Sequence, residues 1–420
     1  MGSAPPRKIR RSLTNVGGRV ELTGTDEAER AALTFALDVD PEDGARDHVH
    51  AFHSYPARLH AITARRLVEK LSPPRGRVLD PFCGSGTVVV ESLLAGRRAA
   101  GLDANPLAVE LTWLKSHAST QSERDALLEG AQMAREHADD RRTRKAGATH
   151  RFGREDTELF EPHVLMELDG IKAGLGKVRH DFARRALKLV LSAILVKVSR
   201  RTGDTGAATA PRRLSAGYTA KLFYKKAEEL ARLLAEFGAK LPRNADPPFV
   251  KIGDARNIEA IRPGSIDLVL TSPPYPGNYD YLSHHALRLR WLDLDTEKFA
   301  GIELGARRHL SALSESDARA RWSKELGEVL AQMAKVLTAH GRAVLVIADT
   351  VIGQRAAYAD DLVQILAPRV GLEVTTIGSQ ARPHFHGPTA RAFDRKPRRE
   401  HAIVCRVASP SAPRGTDRSR

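Results

Sequence analysis

Between Arg77 and Asp103 the chain reads RVLDPFCGSGTVVVESLLAGRRAAGLD, and this stretch most narrows the folds open to it. Val78 to Asp80 is a short apolar strand ending in an acid, and Gly84-Ser85-Gly86 is a tight turn. Thr87 to Ala95 is a helix stopped by Gly96, and Arg98 to Asp103 is a second strand. A strand, a crossover helix and a second strand make a βαβ unit, which requires parallel pairing. Apolar runs at Phe249 to Ile252, Asp267 to Thr271, Arg342 to Ala348, Leu372 to Ile377 and His401 to Val407 continue the pattern. Helical patterns lie between them. The expectation is an α/β fold, a doubly wound, seven-stranded, Rossmann-like sheet.

In such sheets ligands bind beyond the carboxyl ends of the strands. The first strand ends in Asp80-Pro81-Phe82, followed by the Gly84-Ser85-Gly86-Thr87 loop and a helix start. Glycines let the backbone approach a ligand, and exposed amides at a helix start favour an anionic group. The loop has no Walker lysine, so a triphosphate does not fit. Asp103, with Ala104 and Asn105 after it, ends the second strand where ribose hydroxyls are bound. Gly253-Asp254-Ala255 ends the third, where Asp254 is a partner for an adenine amino group. S-adenosylmethionine carries an ammonium, a carboxylate, a ribose and an adenine, which match these features in turn. The plain alternative is a glycine turn made only for helix–sheet packing.

The fourth strand ends abruptly in Ser272-Pro273-Pro274-Tyr275. Prolines cannot continue a sheet ladder, so this is a rigid loop at the mouth of a cleft. It offers a hydroxyl, a fixed carbonyl and a flat ring, a receptacle for a planar, hydrogen-bonding group such as a nucleobase. No motif places a histidine beside Ser272, so its hydroxyl reads as a hydrogen-bond acceptor and not a nucleophile. Downstream, PGNYDYLSHHALRLRWL turns into a helix, and Asn278, Tyr279 and Tyr281 at its start are candidates for nucleic-acid contact.

Residues 119–244 read differently, as a charged helical insertion without strand patterns. Asp181 to Arg201 is apolar on most faces, and Tyr218 to Phe237 is amphipathic. Between them Arg200-Arg201 and Arg212-Arg213 bracket a Gly/Thr/Ala loop suited to phosphate contact, or else to simple solubility. The insertion is a candidate target-recognition region. Arg395 and Lys396 lie in a second basic stretch, and residues 409–420 read as a flexible basic tail. Residues 1–45 read as a basic, flexible amino-terminal segment, with residues 46–118 and 245–408 as the catalytic domain.

Lys plus Arg exceed Asp plus Glu by 66 − 51 = 15, which favours a polyanionic partner. Only Cys83 and Cys405 are present, so no disulfide framework exists. Met1 to Arg11 lacks the apolar core of a secretory signal. Ala186 to Val198 is too short to span a bilayer and contains Lys188 and Lys197. A cytoplasmic protein without membrane attachment is expected. The histidines of HVHAFHSYPARLH have no standard zinc spacing and no cysteine partner, so no metal is expected either.

With Asp80-Pro81-Phe82-Cys83-Gly84-Ser85-Gly86-Thr87 and Thr271-Ser272-Pro273-Pro274-Tyr275 in hand, the sequence resembles the DNA amino-methyltransferases. These methylate the exocyclic nitrogen of cytosine or adenine. His53-Ser54-Tyr55-Pro56 is similar to the family's upstream cofactor-pocket motif. The resemblance covers residues 48–118 and 247–408 and leaves out the insertion. It implies that Asp80 and Gly84 to Thr87 hold the methionine moiety of S-adenosylmethionine, with Tyr55 and Phe82 beside them. It further implies that Ser272 and the Pro273 carbonyl accept from the target amino group while Tyr275 stacks on the base. Ser at the first position of the tetrad leans toward cytosine N4, and adenine N6 is the alternative. The insertion precedes Gly253-Asp254-Ala255, one strand earlier than the family's matching motif order implies. Double-stranded DNA is the expected partner, with a cognate restriction endonuclease as a further candidate. An RNA base-amine methyltransferase and a non-catalytic nucleic-acid-binding module are the remaining readings.

Overall fold

The computed structural model describes residues 17–40, 47–203, 209–382 and 391–408. In chain order the main strands are β1 (Glu21–Gly24), β2 (Arg77–Asp80), β3 (Arg98–Asp103), β4 (Phe249–Ile252), β5 (Ile266–Thr271) and β6 (Leu337–Ala348). A small hairpin of β7 (Thr350–Ile352) and β8 (Arg355–Ala357) follows, then β9 (Leu372–Ala381) and β10 (Arg399–Val407). One sheet of eight strands has the order β1-β9-β10-β6-β5-β2-β3-β4. From β4 to β6 the pairing is parallel, and β10 lies antiparallel to both β6 and β9. All seven expected strands are present.

The eighth strand corrects the expectation for the amino terminus. β1 pairs antiparallel with β9, and α1 (Glu27–Leu37) packs behind it. Asp26 caps α1 by accepting from the Glu29 amide at 2.9 Å. Leu33, Ala36 and Leu37 of α1 are buried against the sheet and α2 (Ala61–Leu71), so this part of the segment is integral to the core. Glu29, itself fully buried, reaches Arg342 and Arg406 on the neighbouring strands. The reading of residues 1–45 as one flexible stretch missed this because α1 is short and interleaved with charge.

The sheet is covered on both sides, which is why its strands read as continuous apolar runs. Val78, Leu268, Leu270, Val344, Val346, Ala402 and Val404 face α1 and α2. Leu79, Val269, Ala343, Leu345, Ile347, Ile403 and Cys405 point the other way, toward α13 (Glu315–Val336) and α14 (Ala359–Leu366). Each buried Val, Leu or Ile among them contributes about 1.5–3 kcal/mol. The intervening helices are α3 (Thr87–Leu94) after β2 and α4 (Pro106–Lys115) after β3, with α10 (Tyr281–Trp291), α11 (Glu297–Ile302) and α12 (Arg307–Leu310) after β5.

The insertion is built of helices among its described residues: α5 (Gln121–Thr143), α6 (Arg154–Leu159), α7 (Pro162–Leu175), α8 (Asp181–Val198) and α9 (Tyr218–Lys240). Thr120 and Glu123 form a reciprocal capping box at the start of α5. α8 is buried on most of its surface, consistent with its apolar circumference. These helices share one core with α3, α4 and α10, so the insertion is seated directly behind the first half of the sheet.

Candidate active site

Chain direction across the sheet reverses between β2 and β5, because β3 and β4 extend one way and β6 the other. The carboxyl ends of β2 and β5 therefore flank the crevice where such sheets bind ligands. Asp80 and Thr271 stand at those two ends, and the Thr271 hydroxyl donates to Asp80 at 2.6 Å. The same Asp80 oxygen accepts from the Phe82 amide at 3.0 Å. Burial, only partly offset by these donors, pushes the Asp80 carboxyl up to about 7.

The glycine loop is built as the sequence demands. Gly84 and Gly86 have φ of 51° and 86°, a region costly for other residues. Asp103 ties the loop to β3. Its carboxylate accepts from the Gly84 amide and the Asn105 amide, each at 2.8 Å, and burial pushes its pKa up to about 6. Asn105 caps α4, its side-chain oxygen accepting from the Leu107 amide at 3.0 Å. Below the loop, the buried Lys115 ammonium donates to the Ser85 carbonyl at 3.0 Å and to its hydroxyl at 3.3 Å. Burial drives the Lys115 pKa well below its ordinary value.

Tyr55 closes the pocket from above. Its ring stacks on His285 with centroids 4.8 Å apart, and Asn105 donates to its hydroxyl at 3.3 Å. Its carbon Cε1 lies 3.4 Å from where a Gly84 side chain would begin. His53 fixes this segment by contacts with the Ser54 carbonyl at 2.7 Å and the Ser192 hydroxyl of α8 at 3.0 Å. The insertion thus helps to seat the HSYP segment.

The resulting cavity has an empty volume of about 610 Å³, its mouth included. Of the residues expected for a cofactor, Tyr55, Phe82, Gly84, Asp103, Ala104, Asn105, Asp254 and Ala255 line it. Asp80, Ser85 and Thr87 are buried behind it, and Gly86 packs against Thr112. Ser272 and Pro274 reach the same cavity from β5. Tyr281, expected at nucleic acid, instead lines this cavity. Asp254 lines it with its carboxylate already held by the Arg256 guanidinium, at 2.8 Å on one oxygen and 3.0 Å on the other.

Phe299, Ile302, Glu303 and Leu304 complete the wall and were not identified from sequence. They lie on and after α11, a short helix without periodicity, so only the fold brings them in. Glu303 accepts from the Tyr281 and Leu282 amides at 2.6 and 3.3 Å, satisfying the start of α10. The Tyr275 hydroxyl donates to Glu400 of β10 at 2.9 Å, and Arg382 donates to the other Glu400 oxygen at 3.1 Å. That anchor fixes the ring of Tyr275 beside the Ser272 loop.

The expected nucleic-acid residues divide. Tyr279 lies 5.5 Å from the Tyr281 ring and 5.6 Å from His284, forming an aromatic ledge. Arg307 pins that ledge through the Gly277 and Asn278 carbonyls. The Asn278 side chain is engaged by Thr350 at 3.1 Å. Arg201 stands near enough to His284 to help hold its pKa down, after burial and Arg307. Arg200 pairs with Glu161 at 2.7 Å, and Arg212 donates to the Lys197 carbonyl. Arg213 and Arg395 are exposed. The Lys396 ammonium is held between Asp360 and Asp361 at 3.3 Å, so it comes to this face already paired with acids. The basic tail, residues 409–420, lies outside the described residues.

A family model described as DNA methylase matches residues 35–113, the span that carries Tyr55, the glycine loop and Asp103. Over these residues the chain is similar to the DNA amino-methyltransferases. The type II methyltransferase M.MvaI of Kocuria varians is 34% identical to this chain over 74 residues. That match spans 17% of this chain and 16% of the length of M.MvaI. Among solved structures, the rRNA methyltransferase aviRa of Streptomyces viridochromogenes shares 15% identity with a TM-score of 0.33, covering 91% of this chain and 96% of its own. A TehB-like SAM-dependent methyltransferase of Corynebacterium glutamicum shares 13% with a TM-score of 0.27, covering 82% and 86%. Likeness at these scores adds nothing to the fold of the chain. No helix among its described residues is long and apolar enough to cross a membrane.

Proposed function

We propose that this chain is an S-adenosylmethionine-dependent DNA methyltransferase acting on the N4 amino group of cytosine in a specific sequence. One observation carries the reading. Ser272 and Pro274 of the proline loop line the same cavity as Gly84 and Asp103 of the glycine loop. A donor pocket and an amine-accepting loop therefore meet at the switch point of the sheet.

The pocket residues fit the donor. Asp80, beneath the glycine loop, suits its ammonium, and Asp103 with Asn105 suits ribose hydroxyls. Phe82, Phe299, Ile302 and Leu304 offer apolar walls to the adenine. Asp254, engaged by Arg256, supports the adenine subsite as one half of an ion pair. S-adenosylmethionine supplies an electrophilic methyl group on a sulfonium.

The protein's work is on the acceptor. An exocyclic base nitrogen is a weak nucleophile because its lone pair is delocalised into the ring. The Ser272 hydroxyl and the Pro273 carbonyl accept its two N–H bonds and draw it toward tetrahedral geometry. The freed lone pair then aims at the methyl group, with positioning contributing much of the rate. Tyr275, held by Glu400, presents its face to the base. In a duplex the nitrogen is inaccessible, so the base is flipped out at a cost of about a few kcal/mol. Arg201, Arg307 and Arg398 near the Tyr279–His284 ledge suit the flanking phosphates.

The test is transfer of labelled methyl groups to duplex DNA, with enzymatic digestion to nucleosides and mass spectrometry. N4-methyldeoxycytidine is expected, and Ser272→Ala with Tyr275→Ala abolishes it. N6-methyldeoxyadenosine as the product replaces the base assignment. Label found solely in RNA rejects DNA as the substrate, and a chain that binds the donor but labels neither rejects the catalytic reading.

A further inference from the structure

His48 and His50 sit on a 3-10 turn (His48–Ala51) whose spacing matches no zinc signature, but the fold brings a third ligand to them. Glu91, on the inner face of α3, places its Oε1 2.7 Å from His50 Nε2. The His48 and His50 rings lie 4.9 Å apart, and one ligand atom from each of the three residues falls within 4.8 Å of the others. All three side chains are buried, at 7%, 2% and 3% exposure. We propose that His48, His50 and Glu91 bind a divalent first-row metal ion, zinc by donor type, which fastens the turn to α3.

Two independent observations support a ligand here. His48 Nδ1 is buried and has no hydrogen-bond partner among the described residues, an expensive state for a ring nitrogen. A metal ion would satisfy it by accepting the ring nitrogen's lone pair. His48 also has φ of 34°, a left-handed backbone that a β-carbon makes costly, and that holds its ring against His50. Two imidazoles and a carboxylate are a standard set for zinc, with the fourth position left to water.

Lys115 donates to Ser85 and Arg58 to the His50 carbonyl at 2.7 Å, and the charges of Arg65 and Lys240 also reach Glu91 and His48. A second converging group, Asp349, Asp360 and His401, shows the contrast. There both ring nitrogens of His401 are engaged, by Ser379 at 2.8 Å and Asp349 at 3.1 Å. Lys396 already supplies its positive charge to Asp360.

The position gives the site a role. α3 begins at the glycine loop, and the His48 ring lies 6.0 Å from Phe237 of α9. An ion there clamps the insertion, the turn before Tyr55 and the helix behind the cofactor loop into one body. It acts on structure and takes no part in methyl transfer.

The test uses the full chain, stripped with a chelator and titrated with cobalt(II), alongside zinc analysis by mass spectrometry. Visible d–d absorption saturating near about one ion per chain is expected, bleached by zinc. His48→Ala weakens cobalt binding at least tenfold while circular dichroism shows a folded chain; His48 is chosen because Glu91→Gln risks unfolding. His401→Asn leaves binding unchanged. A folded wild-type chain without stoichiometric ion or cobalt absorption overturns the proposal. So does wild-type binding in His48→Ala, or binding that moves with His401→Asn.

Discussion

Asp80 shows how a single carboxyl couples fold to ligand. Its pKa of about 7 and that of Asp103 near 6 are raised by burial, so the folded chain favours their neutral forms. That preference stabilises the unliganded fold in full below the ordinary carboxylate value of 3.8, and is lost progressively as pH rises from there through about 6 and 7. A cationic donor group prefers the ionised form, which reverses the balance on binding. Affinity for S-adenosylmethionine is therefore expected to rise between pH 6 and pH 8, by up to about tenfold per linked proton and pH unit below the pKa. Titration calorimetry across that range checks it, and Asp80→Asn should flatten the profile; an unchanged slope in the variant rejects Asp80 as its source. The two loop glycines separate function from stability. Gly86→Ala puts a β-carbon 3.0 Å from Thr112 Cα at φ of 86°, and should cost roughly 1–3 kcal/mol in unfolding. Gly84→Ala meets nothing nearer than Tyr55 at 3.4 Å, so it should weaken donor binding more than it lowers the melting temperature.

At the scale of elements, the insertion depends on one acid. Glu167 of α7 is buried, and its carboxylate accepts from the Gly217, Thr219 and Ala220 amides at the start of α9. Gly217 has φ of 80° and carries no side-chain cap of its own, so Glu167 supplies the missing acceptor and a favourable charge for the helix dipole. Glu167→Ala should destabilise the chain by about 1–3 kcal/mol in denaturant unfolding, through orphaned amides. Glu167→Gln should cost less, since an amide oxygen still accepts. Equal losses would mean that packing, and not capping, sets the effect. No sequence rule pairs residues 167 and 217; the shared core is what brings α7 and α9 together.

Across the whole molecule, β1 and α1 close a sheet that would otherwise end at β9. Glu29 joins them to Arg342 of β6 and Arg406 of β10, and its carboxylate also accepts from Thr375 and Thr376 of β9. Removing residues 1–40 would bare the β9 edge and leave those arginines without their buried acid. Such a deletion is expected to aggregate or to melt well below the full chain, as light scattering and calorimetry would register. A truncated chain as stable as the full one would mean that β1 is dispensable. The basic excess belongs to this scale too. DNA binding should weaken steeply with salt, with a log–log slope of several units, if Arg201 and its neighbours contact phosphates. Arg201→Ala should reduce that slope by about one.

The sequence by itself determined the strands, the glycine loop and the Ser272 loop. Each rests on residues close together in the chain: an apolar run, a positive-φ glycine, a proline after a strand. Those are local constraints, and local physics reads them without a fold. The tertiary structure decided what meets what. It brought Ser272 and Gly84 to one cavity, placed Phe299, Ile302 and Glu303 in its wall and moved Tyr281 from the expected DNA face into the pocket. It also gave Lys396 to Asp360, Glu167 to α9 and Glu91 to His50. In each case the partner is distant in sequence or lies in a segment without periodicity. A lone charge carries no signal of what will neutralise it until the core around it is closed.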